Sequence, residues 1–207
     1  MDTLKKLFST IFLGFIMIFS LQAQDYKTIQ DAFEKSYLYE YSGDYTKAID
    51  GLKSVYSEES YEINLRLGWL TYLAGFFTES TAYYQKAIEL KPLSIESKFG
   101  YVYPASALGN WEQVKKQYTD ILQIDNQNTL ANYRLGSIYY GAEDYTSALQ
   151  YFEKLVNLYP FDYDGLLMYG WTNLKLGKYR EAEVLFNKVL MNNPNDKSAI
   201  QGLELIK

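Results

Sequence analysis

The sequence predicts an all-α fold made of stacked helix hairpins, and three observations predict it. A pattern of 34 residues recurs along the chain, apolar positions within each copy fall at helical spacing, and most copies close on a proline. The pattern is clearest at 163–194, which reads as two amphipathic helices joined at Lys175-Leu176-Gly177-Lys178.

Aligned on Gly177, the copies place Glu143, Gly109, Gly75 and, after a shorter step of 32, Gly43 in one register. Two residues on stand Tyr179, Tyr145, Trp111, Phe77 and Tyr45. A small residue follows near the start of the second helix, at Ala182, Ala148, Val114, Ser80 and Ala48. Four residues later come Phe186, Phe152, Tyr118, Tyr84 and Leu52, and three further Val189, Leu155, Ile121, Ala87 and Val55. Offsets of four and three lay one apolar stripe along one helix face. Pro194, Pro160 and Pro92 stop the second helix, with Asn126 in the equivalent place. Proline cannot continue a helix and pushes its predecessor out of helical geometry.

In the first helix, Gly170, Gly136 and Gly68 share a register in which a missing side chain lets a neighbouring helix approach closely. Ser36 and Val102 replace them in the other copies. Pro104 falls inside the first helix of the third copy, four residues after Gly100. An interior proline costs about 3 kcal/mol, which predicts a kink or break between Glu96 and Ala107.

A period of about 34 residues with Gly/small marks, Tyr/Phe marks and a closing proline resembles the tetratricopeptide repeat family over residues 29–194. The resemblance implies a right-handed superhelical solenoid of antiparallel helix pairs with a concave inner face. Its repeats fall at about 29–60, 61–94, 95–128, 129–162 and 163–196. The segment 197–207 then begins a sixth first helix, with Ile200, Leu203 and Ile206 as its apolar side, and caps the stack. The solenoid, 25–207, contains no Ser/Pro/Gly-rich tract that would mark a linker.

Residues 1–24 are of another kind. Lys5 and Lys6 precede an apolar run at 7–21, closed by Gln22-Ala23-Gln24. A charged start, a short apolar run and a small residue at the end predict a secretory signal peptide, and so an exported protein, periplasmic or extracellular. The run is short for a spanning helix, which needs about 20 apolar residues. Membrane contact is expected only if this segment stays uncleaved. The absence of Cys leaves helix packing, not disulfides, to stabilise the fold.

Composition narrows the function. With no His and no Cys there is no Ser–His pair, no thiolate nucleophile and no His-ligated zinc. No Gly-rich phosphate motif occurs, so no cofactor site is indicated. Asp162-Tyr163-Asp164-Gly165 has the start of a calcium loop without its later ligands, and reads as a helix start with an Asp near its N-terminus. A net charge of -5 argues against a nucleic-acid partner.

The resemblance also implies where a ligand binds. In this family the groove is lined by positions one after the register glycine, four before that, and three to four after. Those positions hold Phe33, Tyr37, Tyr41, Leu65, Trp69, Tyr72, Phe99, Tyr103, Tyr133, Tyr140, Leu167, Trp171 and Leu174. Trp and Tyr dominate binding hot spots, so the expected function is a non-enzymatic scaffold holding a protein or peptide. Two alternatives remain open at this point. One is a glycan-binding or glycan-hydrolysing protein, using the aromatics with Glu62 and Glu96, which stand 34 residues apart. The other is a structural subunit of an envelope assembly.

Overall fold

The computed structural model describes residues 26–206. The expected signal peptide, 1–24, lies outside the described residues. Among those described there are eleven α-helices and no strand. Helix α1 covers residues 26–41. It is followed by α2 (Tyr45–Lys53), α3 (Tyr61–Leu73), α4 (Phe77–Leu90), α5 (Ile95–Ala107) and α6 (Trp111–Ile124). Then come α7 (Thr129–Gly141), α8 (Tyr145–Leu158), α9 (Tyr163–Lys175), α10 (Tyr179–Asn192) and α11 (Lys197–Glu204). No described helix is long and apolar enough to cross a membrane.

Each register in the sequence acquires a physical role. The even-numbered helices from α2 to α10 begin on their aromatic: Tyr45, Phe77, Trp111, Tyr145 and Tyr179. The small residues three places on, such as Ala48, Ser80 and Ala182, are fully buried. The turn register is left-handed throughout, with φ of 76, 81, 72 and 72° at Gly43, Gly75, Gly109 and Gly177, and 62° at Glu143. That backbone closes the helix end and reverses the chain over three residues, so the partners of a pair run antiparallel.

The helices that open copies carry a second periodic device. Ser60, Ser94, Asn128, Asp162 and Asp196 each accept a hydrogen bond from the backbone N–H three residues on. These are N-caps, each worth about 1 kcal/mol. Asp162 is therefore a cap on Gly165 N at 2.7 Å, as the sequence suggests. At the far end of the copies, after α4, α6, α8 and α10, Lys91, Asp125, Tyr159 and Asn193 share φ between -132 and -134°. Asp125 adopts this geometry with Asn126 behind it, so proline reinforces the stop without being required for it.

Three expectations need correction. Helix α5 runs unbroken from Ile95 to Ala107 with Pro104 inside it, so the third copy has no break. Pro104 forfeits only the bond that an N–H there would have made to Gly100 O, and the helix continues past it, with Leu108 N–H closing on Pro104 O at 3.0 Å. Helix α2 ends at Lys53, so Val55 packs against the core from beyond the helix and not from its stripe. Leu203 of α11 and Ile206 just beyond it pack against the core as expected, but Ile200 is 40% exposed and the buried residues of the helix are Ala199 and Gly202. Small residues face α10 because Phe186 already fills the space over Gly202.

The chain divides into two compact units between Leu108 and Gly109. In the first, Ala32, Ala48, Ile49, Leu52, Ile63, Leu67 and Leu70 form one core from α1, α2 and α3. α3 packs on α4 and α5, and α4 on α5. In the second, α6 to α11 pack in succession, with α9 also touching α7 and α11. Val156, Leu166, Ala182, Leu185, Phe186, Val189 and Ala199 form a core there. Within each unit the stripe aromatic of a second helix is the wedge between first helices. A Cβ at Gly68 or Gly100 would meet Tyr84, and one at Gly170 or Gly202 would meet Phe186.

Candidate functional site

The first unit holds a pocket of about 590 Å³. Helix α1 contributes Phe33 and Tyr37, α3 contributes Tyr61, Glu62, Leu65, Arg66 and Trp69, and α5 contributes Glu96, Phe99, Gly100 and Tyr103. Tyr84 of α4 reaches in between. Side chains four apart on one helix share a face, which is why Phe33 and Tyr37, Leu65 and Trp69, and Phe99 and Tyr103 arrive in pairs.

Six of the residues expected from the sequence thus meet in one place: Phe33, Tyr37, Leu65, Trp69, Phe99 and Tyr103. Tyr72 backs them, its ring 5.8 Å from Trp69 and 5.5 Å from Tyr103. Tyr41 stands apart, 96% exposed. The remaining candidates lie in the second unit and pack within it. Tyr133 sits edge-on to Phe152, and Tyr140 to Tyr145. Trp171 packs on Phe186 at 5.3 Å and donates its indole N–H to Ser198 Oγ at 2.8 Å. Leu167 and Leu174 pack against the same core.

Glu40 and Arg66 are the components the periodicity does not reveal. Glu40 accepts from Arg66 Nη1 at 2.5 Å through one oxygen and from Trp69 Nε1 at 2.7 Å through the other. Arg66 Nε donates to Ser36 Oγ at 3.0 Å, and its guanidinium lies 3.9 Å from the ring centroid of Tyr37. One carboxylate on α1 therefore fixes the indole and the guanidinium of α3 together. Arg66 is buried, yet its Nη2 has no hydrogen-bond partner.

The rim is acidic. Glu62 pairs with Lys91 Nζ at 3.2 Å, and Lys91 lies over the Tyr61 ring at 4.3 Å. The Tyr61 hydroxyl is 2.7 Å from Ser94 Oγ and donates to Glu96 Oε2 at 3.3 Å. Glu96 makes no ion pair among the described residues. Glu62 accepts its own backbone N–H at the start of α3 and faces Lys91, and these hold its carboxyl below the usual value. A glycosidase acid needs the opposite shift, so Glu62 is not suited to donate a proton at neutral pH. Burial pushes the Tyr84 hydroxyl well above its ordinary value, leaving it a neutral wall. The arrangement offers apolar walls and a carboxylate rim around a buried, paired guanidinium, which suits binding more than bond-breaking.

Residues 139–204 match the sequence model of the tetratricopeptide repeat. The chain is 25% identical over 170 residues to the TPR repeat-containing protein YpiA of Bacillus subtilis (strain 168), covering 80% of this chain. It spans 40% of the length of that relative. A tetratricopeptide repeat protein from Parabacteroides merdae ATCC 43184 is similar in structure, with a TM-score of 0.73 and 23% identity, over 86% of this chain and 72% of that one. MamA protein gives a TM-score of 0.71 at 19% identity, over 81% of this chain and 93% of that one. MamA from Desulfovibrio magneticus RS-1 gives 0.68 at 16% identity, over 82% and 97% respectively. At these identities the structural likeness is one of fold.

Proposed function

The chain is a tetratricopeptide-repeat protein, and on that premise we propose that it is an exported, non-enzymatic scaffold that seats a peptide segment of a partner protein in the pocket of its first unit. The observation that carries this reading is the pocket itself. Its volume of about 590 Å³ falls within the range of about 300–1,000 Å³ typical of ligand sites. Its key walls are held before any ligand arrives, since Glu40 fixes both Trp69 and Arg66. Preorganised aromatic walls spare a ligand the ordering cost that weakens flexible sites. Export rests on the charged start and apolar run of residues 1–24.

A photo-crosslinker separates this reading from a docking role of another surface. With Tyr103→p-benzoylphenylalanine, light should give a discrete adduct in the cells that make the protein. With the same group at Met191, an exposed position of the second unit, that adduct should be missing. Adding Phe99→Ala should abolish the Tyr103 adduct. The same adduct from both positions, or none from Tyr103, would refute the reading. Export is checked separately, by fractionating the cells and sequencing the N-terminus of the mature chain.

A further inference from the structure

We propose that the segment this pocket selects is basic: an apolar or aromatic anchor side chain next to Lys or Arg. The inference rests on the pocket being the binding site and adds the chemistry of what enters.

The first observation is that the cation in the pocket wall is already engaged. Arg66 lines the pocket but is only 8% exposed, with Nη1 on Glu40 and Nε on Ser36, and its unpartnered Nη2 is closed off from solvent. It therefore offers an incoming carboxylate no free counter-charge.

The second observation is the balance of charge. The guanidinium charge is matched by Glu40 at 2.5 Å. Glu62 and Glu96 line the pocket as well, and Lys91 pairs with Glu62. A ligand carboxylate would meet a site with more negative than positive charge around it, whereas a Lys or Arg side chain meets the complementary sign.

The third observation is what the rim can hold. Glu96 has an unneutralised carboxylate beside Tyr61. The pocket's own rings already accommodate cations: Arg66 lies on Tyr37 and Lys91 on Tyr61. Trp69 and Tyr103, 6.2 Å apart and edge to face, offer further faces of the same kind. An aromatic face beside a carboxylate attracts an ammonium or guanidinium. An acidic or C-terminal carboxylate ligand is the wrong sign for this rim.

The test is selection of random dodecapeptides displayed on phage against the immobilised full-length chain, followed by titration of the synthetic binders by fluorescence anisotropy. Binders should carry an aromatic or large aliphatic residue close to Lys or Arg. Replacing that basic residue by Glu should weaken binding by about tenfold or more. Glu96→Gln, an exposed change that leaves the fold alone, should weaken the basic peptide about threefold and leave its Lys→Ala analogue unchanged. Binders that are acidic, or indifferent to Glu96→Gln, overturn the inference and leave the pocket standing as a site. If no selected peptide loses binding on Phe99→Ala with Tyr103→Ala, the inference and the proposed function fail together.

Discussion

Gly100 faces the ring of Tyr84 so closely that a Cβ built on it would lie 2.1 Å from Tyr84 Cε1. Tyr84 is 3% exposed and seated between α3 and α5, so its ring has nowhere to retreat. Gly100→Ala is expected to destabilise the chain by about 2 kcal/mol: about 3 from overpacking, offset by about 1 from helix propensity. The double variant Gly100→Ala with Tyr84→Leu should recover part of that loss. Chemical denaturation of the single and double variants measures both. No loss in the single variant would mean that Tyr84 is not the wedge between these helices.

Glu143 holds a left-handed backbone at φ 62° in a register where the other four copies carry glycine. An L side chain pays roughly 1–2 kcal/mol there, against the smaller entropy that glycine adds to the unfolded chain. Glu143→Gly should therefore stabilise by about 0.5–1 kcal/mol. Gly177→Ala, at φ 72°, should destabilise by about 1 kcal/mol. Opposite signs from two substitutions in one register, read as shifts in denaturation midpoint, check the argument.

Glu40 ties α1 to α3 through Arg66 and Trp69. Glu40→Ala leaves a buried guanidinium without its counter-charge, at an expected loss of about 3 kcal/mol. It also frees the indole, so the Trp69 Nε1–H resonance should move and broaden while that of Trp171, held by Ser198, stays put. Glu40→Gln keeps an acceptor for the indole and should retain the Trp69 signal while still losing stability. A Trp69 resonance unmoved in Glu40→Ala would show that the pocket wall does not depend on α1.

How much of this was legible in the sequence follows from what each feature depends on. The stripe from Tyr84 to Phe186 and the small residues before it depend only on spacing within one helix, and periodicity exposes them. The N-caps Ser60, Ser94, Asn128, Asp162 and Asp196 keep the same 34-residue step, so they are legible too, though the apolar pattern draws the eye past them. Gly100 and Gly202 lie two residues before the glycine register, and their role appears only when the ring of the preceding helix is placed. Arg66 is harder still. A cation between Leu65 and Leu67 reads as a surface residue, and its burial depends on Ser36 and Glu40 of another helix. For the same reason the sequence ranks Trp69 and Trp171 alike, although one lines the pocket and the other packs on Phe186.

Asp196 gives the end of the second unit a pH dependence whose sign can be worked out. Its carboxylate accepts from the Tyr163 hydroxyl and from Ala199 N at 2.8 Å, capping α11. The Tyr163 hydrogen bond, then the backbone N–H groups, hold its pKa below the ordinary value, and the residue is buried. A carboxyl with a depressed native pKa binds protons more readily in the unfolded chain. Its stabilisation is therefore complete above the unfolded value of about 3.9 and is lost as pH falls through the lower native value. Amides of α11 should exchange with solvent faster, relative to those of α9, as pH drops below about 4. Asp196→Asn keeps an acceptor for Ala199 but removes the charge, so it should flatten that dependence. Asp196→Ala should cost about 1 kcal/mol at neutral pH by removing the cap. Hydrogen exchange of the three proteins between neutral and acid pH decides it, and an equally steep acid loss in Asp196→Asn would place the titrating group elsewhere.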